Sequence, residues 1–263
     1  MTPLEQYRQE MDGRIATYRG NKELQTAARS FFNQIGIGKA NYVYNFTWLG
    51  IPILQIPQDL QAMQEIIWLV KPDLIIETGV AWGGSLMFTA SMLAILEACG
   101  EIDEGRVVGI DLEIRPHNKL AIAAHPLARK ITLVEGSSID EAIVSKVRTI
   151  AAQYKRVMVC LDSHHTHDHV LAELESYAPL VGVGSYCLVG DTIIEDAPEG
   201  MCGNRPWGKG NSPKTAVWEY LRRLRTEGRQ DLDGNVMRFE IDHGCEDKIV
   251  LTGSPDGYLR RLQ

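Results

Sequence analysis

Two sets of residues in this chain have types and spacings that can do chemistry. The first is the run Leu74-Ile75-Ile76-Glu77-Thr78-Gly79-Val80-Ala81-Trp82-Gly83-Gly84-Ser85, followed by Val107-Val108-Gly109-Ile110-Asp111. A buried strand ending in a glycine-rich turn lets backbone N–H groups approach a ligand closely, and a second strand ending in a carboxylate suits the paired hydroxyls of a ribose. In outline this is a nucleotide cradle. Its spacing argues against a dinucleotide. Gly79 and Gly83 stand four apart, unlike the first pair in GxGxxG, and Asp111 lies 28 residues beyond Gly83, where the dinucleotide pattern has about 20. Neither a Gly-Lys-Ser phosphate loop nor a GxSxG nucleophile elbow occurs near the turn. The remaining fit is adenosine without a pyrophosphate.

The second set is Leu161-Asp162-Ser163-His164-His165-Thr166-His167-Asp168-His169 with Gly190-Asp191. Carboxylates at strand ends either cap turns or bind a hard cation and orient a reactant. A histidine titrating near neutral pH can take a proton from an attacking hydroxyl. His165, three positions after the strand-ending Asp162, is placed to overhang the crevice, whereas His167 and His169 fit a helix surface or a structural role. Four imidazoles between 164 and 169 cannot all point inward from one strand-to-helix junction, and no distant Cys/His pair completes a tetrahedral zinc set.

The elements that must position these groups follow from hydrophobic period. Residues 1 to about 35 are helix-compatible, with Leu4, Tyr7, Met11, Ile15 and Tyr18 forming a stripe that needs a cover. An aromatic cluster of Tyr42, Tyr44, Phe46 and Trp48 precedes Leu49-Gly50-Ile51-Pro52. A helix begins near Asp59 and ends before Pro72. After the opening strand, helices are predicted at 84–98, 117–126, 139–153 and 167–180, alternating with strands at 107–112, 131–136, 157–162 and 185–191. Apolar strands alternating with amphipathic helices require a parallel sheet covered on both faces. The ligand crevice then lies at the carboxyl ends of the strands, which carry Glu77 and Gly79, Asp111, Gly136-Ser137-Ser138, Asp162 and Asp191. A Pro- and Gly-rich loop over 196–213, a helix over 214–225 and strand candidates at 237–241 and 248–251 suggest an antiparallel addition at the sheet edge. The predicted organisation is an N-terminal helical and aromatic segment over 1–58, serving as oligomer contact or substrate cap, and a ligand-binding domain over 59–263.

Composition narrows the partners. A net charge of −7 supplies no sequence-wide basic field for a phosphate backbone, which argues against nucleic acid. No apolar run is long enough to span a bilayer and no secretory signal is visible, so the expectation is a soluble cytoplasmic protein. Five cysteines without a CxxC pair read as reduced, largely buried thiols. The uncovered N-terminal stripe points to a homo-oligomer.

The glycine turn led by Glu77, with the later Asp111, resembles the class I S-adenosylmethionine-dependent methyltransferases. The resemblance narrows through Ile110-Asp111-Leu112-Glu113-Ile114-Arg115-Pro116-His117-Asn118, Glu135-Gly136-Ser137-Ser138-Ile139-Asp140, Asp162 through Val170, Tyr177-Ala178-Pro179-Leu180-Val181, Asp191-Thr192 and Arg205-Pro206-Trp207-Gly208. Together these are similar to the cephalosporin hydroxylase/rhamnosyl O-methyltransferase family over roughly residues 48–225.

The resemblance implies a Rossmann-like α/β fold with a seven-stranded, mostly parallel sheet, an antiparallel C-terminal edge strand and helices on both faces. It implies methylation of a hydroxyl on a saccharide or glycosylated small molecule. Glu77, Thr78, Gly79, Gly83 and Ser85 would hold the methionine moiety, Asp111 the ribose, and Ser137 or Ser138 the adenine edge, with Asp162 alongside the cofactor. Related sugar O-methyltransferases hold magnesium with an aspartate ending the fourth strand and two acids ending the fifth. Asp162 and Asp191 match two of these positions; the third is Gly190, leaving Glu195 or Asp196 to reach in from the next loop. Catalysis is expected from His165, Asp191 and Asp162, with His165 as base, and Trp207 is expected to cover the acceptor site. Two rival readings are an oxidoreductase, prompted by the hydroxylase in the family name, and a non-catalytic S-adenosylmethionine-binding subunit. The absence of a 2-His-1-carboxylate set and of a dinucleotide fingerprint weighs against the oxidoreductase.

Overall fold

A computed structural model describes residues 1–36, 39–198 and 200–263. Two helices, α1 (Pro3–Tyr18) and α2 (Lys22–Ile35), lead into a hairpin of β1 (Phe46–Trp48) and β2 (Ile51–Ile53), then α3 (Pro57–Val70). The central series is β3 (Leu74–Thr78), α4 (Gly84–Ala98), β4 (Arg106–Asp111), α5 (Pro116–Ala124), β5 (Ile131–Glu135), α6 (Glu141–Ala151), β6 (Val157–Leu161), α7 (His167–Tyr177) and β7 (Tyr186–Val189). The chain closes with α8 (Pro213–Glu227), β8 (Phe239–Ile241), α9 (His243–Ile249) and β9 (Tyr258–Arg261).

The seven-stranded sheet has the order β5-β4-β3-β6-β7-β9-β8. Strands β5 through β7 pair in parallel, and β9 runs antiparallel to both β7 and β8. Period-two alternation splits each central strand between two cores. Leu74, Ile76, Val108 and Val159 face α6, α7 and α8, while Ile75, Val107 and Met158 face α3 and α4. Because the order reverses between β3 and β6, the carboxyl ends of β3, β4, β6 and β7 open onto one crevice.

The predicted strand at 248–251 is corrected by this topology. Lys248 and Ile249 finish α9, whose start is fixed by the Asp242 side chain accepting from Cys245 N at 3.1 Å, and the edge strand is β9. A run of three apolar residues after Lys248 does not distinguish a short strand from a helix end, and the Asp cap decided between them. The N-terminal stripe is partly covered. α1 packs against α9, joined by Arg19 and Asp247 at 3.2 Å, but Leu4 and Tyr7 remain exposed. The aromatic segment forms the hairpin, and Trp48 packs edge-on against Phe88 of α4 with ring centroids 4.8 Å apart. Among the described residues no helix is long and apolar enough to cross a membrane. Cys160 and Cys187 are buried, and all five cysteines are free.

Candidate active site

The turn after β3 is shaped by close approach. Gly79 sits at φ +89°, and a Cβ there would fall on the main chain of Asp162, so only glycine lets the end of β3 pass the end of β6 at this distance. Asp111 reaches across from β4. Its Oδ2 accepts from Val80 N at 2.8 Å and Ala81 N at 3.2 Å, holding the turn open, while the carboxylate retains lone pairs for further hydroxyl donors. Ala81 is held at φ +47° with its carbonyl accepting from Asn118 Nδ2 at 2.6 Å. Asn118, on α5, is a residue the sequence reading did not single out.

Glu77 lies behind the turn. It is buried and accepts a hydrogen bond from Ser85 Oγ, and burial pushes its carboxyl up to about 8. Ser85, rather than Glu77, faces the cavity. Thr78 is also buried, and its Oγ1 accepts from Asp162 N at 3.3 Å, so it anchors β6 to β3. Ser138 turns inward: its Oγ meets His169 Nε2 at 3.1 Å and its carbonyl accepts from the Tyr177 hydroxyl at 2.6 Å, while Ser137 is half-buried.

The second set converges on the same crevice. One donor atom each from Asp162, His165 and Asp191 lie within 4.8 Å of one another, with His165 Nε2 3.4 Å from Asp191 Oδ2. Asp162 is pushed well above the ordinary carboxylate range, first by burial and then by the charge of Asp191. Gln55 Nε2 donates to Asp162 Oδ2 at 3.2 Å from the segment between β2 and α3, a contact with no local sequence signal. Gly190 is explained by the same carboxylate, since a Cβ there would lie 2.7 Å from Asp162 Cγ. The third acid expected at this position would displace the first.

Neither Glu195 nor Asp196 replaces it. Glu195 accepts from Gly210 N at 2.9 Å and Ser212 Oγ at 2.7 Å, and Asp196 pairs with Lys214 at 2.6 Å. The third group of the cluster is instead His165. Its ring meets Trp207 edge-on at 4.8 Å, which places that indole over the cluster. The other histidines are engaged elsewhere. His167 Nδ1 lies 2.8 Å from Thr215 Oγ1, and His169 joins Ser138, Ser163 and Glu173. Burial, then His169 and His165, lower the pKa of His164.

A cavity of about 520 Å³ connects the turn, Asp111 and the Asp162–His165–Asp191 cluster to a far wall from α2, the hairpin, residues 190–197, residues 201–207 and residues 250–255. That volume is typical of small-molecule sites. The 250–255 segment is pinned by Asp59, which accepts from Gly253 N and the Tyr258 hydroxyl, each at 2.9 Å, and whose burial raises it to about 6. Val250 sits at φ +61°, a strained conformation for a β-branched residue.

A parallel sheet switched at β3/β6, with a glycine turn and a ribose-type acid on neighbouring strands, defines a class I methyltransferase. The chain belongs to the rhamnosyl O-methyltransferase/CmcI family, which it matches over residues 40–262. It is 32% identical to the rhamnosyl O-methyltransferase of Mycobacterium leprae (strain TN) over 84% of this chain and 86% of that one. It is 28% identical to the rhamnosyl O-methyltransferase of Mycobacterium tuberculosis (strain ATCC 25618 / H37Rv), over 82% of this chain and 78% of that protein. A solved structure of CmcI with Mg and SAM shares the fold at a TM-score of 0.55 and 20% identity, covering 86% of this chain and 80% of that chain.

Proposed function

We propose that the chain transfers the methyl group of S-adenosylmethionine to a hydroxyl of a saccharide or glycosylated small molecule. The observation that carries this reading is that the glycine turn, Asp111 and the Asp162–His165–Asp191 cluster line one cavity. Gly79, Gly83 and Ser85, with Glu77 and Thr78 behind them, receive the methionine moiety. Asp111 receives the ribose, and of Ser137 and Ser138 it is Ser137 that is left for the adenine edge, since Ser138 is turned inward.

Methyl transfer from a sulfonium is an in-line displacement, so the protein must align the acceptor oxygen and remove its proton. His165 accepts that proton. Asp191, beside Nε2, stabilises the imidazolium that forms, as carboxylates do in hydrolytic triads. Trp207 covers the ring and excludes water from the reacting atoms. The donor set fits a divalent cation: Asp162 and Asp191 are neighbouring carboxylates, desolvation and then the charge of Asp191 raise the Asp162 carboxyl well above its ordinary range, and a hard cation between such oxygens relieves that repulsion. Magnesium bound by Asp162 and Asp191, with His165 adjacent, would lower the pKa of the acceptor hydroxyl. The chain's own residues position that hydroxyl, with Gln55 fixing the Asp162 carboxylate and Gly190 leaving space for it.

Residues 1–58 serve as a cap, since α2 and the hairpin supply part of the cavity wall, and 59–263 form the methyltransferase domain. The exposed half of the α1 stripe supports a homo-oligomer, and composition supports a cytoplasmic enzyme. The test is turnover of S-adenosylmethionine with a panel of deoxysugar glycosides, with and without magnesium. S-adenosylhomocysteine together with a sugar methyl ether is the expected product. Tight cofactor binding without turnover across the panel would favour a non-catalytic subunit.

A further inference from the structure

Helix α7 carries a polar stripe where it meets the ends of the sheet. His169, Glu173 and Tyr177 stand four residues apart and so share one face of the helix. All three contact the turns that follow β5 and β6. His169 Nε2 lies 3.1 Å from Ser138 Oγ and 3.2 Å from Ser163 Oγ, Ser163 donates to Glu173 Oε1 at 2.7 Å, and the Tyr177 hydroxyl donates to the Ser138 carbonyl at 2.6 Å. The Ser163 hydroxyl has one proton, and Glu173 takes it. Its contact with His169 is therefore a hydrogen bond only when Nε2 carries a proton. Nε2–H is a donor shared by two serines of two different turns.

Those turns are not neighbours in the sheet. β5 and β6 are separated by β4 and β3, and at about 4.8 Å per strand their ends stand roughly 14 Å apart. Backbone pairing reaches Gly136, whose N–H donates to the Asp111 carbonyl at 2.8 Å, and Asp162, whose N–H donates to the Thr78 carbonyl at 3.0 Å. Beyond these residues the turns close on each other through the side chains of α7. The gap they bridge is the one that carries Gly79 and Asp111. Ser163 also backs the glycine turn, since a Cβ on Gly79 would lie 3.1 Å from the Ser163 Cα. Glu173 is fully buried, and its Oε2 has no hydrogen-bond partner among the described residues. Such a carboxylate weakens a core that an apolar side chain of similar volume often fills without loss. What Glu173 supplies is the acceptor that orients the Ser163 hydroxyl.

Resting on the S-adenosylmethionine reading of the crevice, we propose that His169 is a positioning residue that sets the span of the cofactor site, its Nε2 proton tying the turn that borders the adenine to the turn that backs the methionine moiety. S-adenosylmethionine reaches both turns, so its methyl group meets the acceptor beside His165 in register only when their separation is fixed. Methyl transfer is sensitive to that register, because misplacing reacting atoms by about 1 Å costs on the order of 100-fold in rate. A ligand that reaches only the adenine side does not sense the separation.

The test is calorimetric binding to the full chain of two probes, S-adenosylhomocysteine and 5′-methylthioadenosine, the second lacking the amino-acid portion. His169→Leu should weaken S-adenosylhomocysteine roughly 10-fold while changing 5′-methylthioadenosine less than about 3-fold. His169→Gln, whose amide nitrogen keeps a donor near the place of Nε2, should recover most of that loss. Ser138→Ala and Ser163→Ala, combined, should depart from the product of their separate effects on S-adenosylhomocysteine by about 3- to 10-fold in the unaltered chain, and should multiply simply in His169→Leu. Equal losses for the two probes, or a lowered melting temperature with S-adenosylhomocysteine affinity unchanged, would overturn the proposal, since a merely structural histidine gives those results. If His169→Leu does not fold, the serine pair in the unaltered chain decides, and independent effects would overturn the bridge. Failure of the unaltered chain to bind either probe would refute the cofactor reading instead, and the serine pair would then have to be non-additive in melting temperature for the bridge to stand.

Discussion

The two ends of the cavity are built differently. The proposed cofactor end comes from strand termini: Gly79 and Asp111 stand at the ends of β3 and β4, whose pairing fixes their separation through backbone hydrogen bonds. The proposed acceptor end is assembled from segments distant in sequence, namely α2, the β1–β2 hairpin, residues 190–197, residues 201–207 and residues 250–255, held by side chains such as Asp59 and Gln55. A scaffold fixed by a sheet conserves one ligand geometry, whereas a wall of loops can be reshaped without disturbing the core. One end is therefore suited to an invariant donor and the other to a variable acceptor. The Asp162–His165–Asp191 cluster lies on the seam between them.

This difference can be tested by asking whether damage at one end stays there. His165→Ala should slow methyl transfer by about 10²- to 10⁴-fold, the range for loss of a general base, while S-adenosylmethionine binding measured by calorimetry remains near wild type. Loss of cofactor affinity in that variant would mean the two ends are not separable. Asp111→Ala should act in the opposite sense. Removing a charged acceptor that also ties Val80 and Ala81 should weaken cofactor binding on the order of 100-fold and lower the melting temperature.

Gly190→Ala probes the seam. Its methyl group would crowd the Asp162 carboxylate, so overpacking of about 1–3 kcal/mol is expected together with a weaker magnesium dependence of turnover and nearly unchanged cofactor binding. A fully active, magnesium-responsive variant would show that the Asp162 position is not critical.

The smallest expected effect is a pH linkage at the cofactor end. Burial raises the Glu77 carboxyl to about 8. A carboxyl with a raised folded-state pKa contributes stability that is fully present below its ordinary value of about 4.5 and is lost as pH rises through about 8. If the ammonium group of the cofactor ionises Glu77, binding releases a proton, and affinity climbs with pH by at most tenfold per unit before levelling above about 8. Calorimetry in buffers of different ionisation enthalpy measures that proton directly, and zero release at pH 7 would remove Glu77 from cofactor recognition.

The same division governs what was legible in the sequence. The strands of the parallel sheet, the turn at Gly79 and the acid at Asp111 could be read because local hydrophobic period and strand-end chemistry specify them. Asp162 and Asp191 were readable as strand ends, but Gly190 looked like a missing ligand until the packing showed that Asp162 occupies its space. The contacts of Gln55 and Asn118 were not legible, because their partners lie 107 and 37 residues away, although Asn118 itself falls within the predicted helix at 117–126. The segment at 248–251 misled for a related reason. Its apolar residues serve a helix end and a cavity wall pinned from Asp59, a long-range contact that period-two reading cannot represent.

The central claim is that one cavity presents a sugar hydroxyl to the methyl group of S-adenosylmethionine across the Asp162–His165–Asp191 seam. The most direct measurement is transfer of a labelled methyl group from S-adenosylmethionine to rhamnosyl acceptors, with magnesium and after chelation, alongside cofactor affinity under both conditions. Labelled sugar methyl ether with magnesium, its loss on chelation, and cofactor binding retained throughout are the predicted result. Cofactor binding with no labelled sugar from any acceptor in the presence of magnesium would contradict the account.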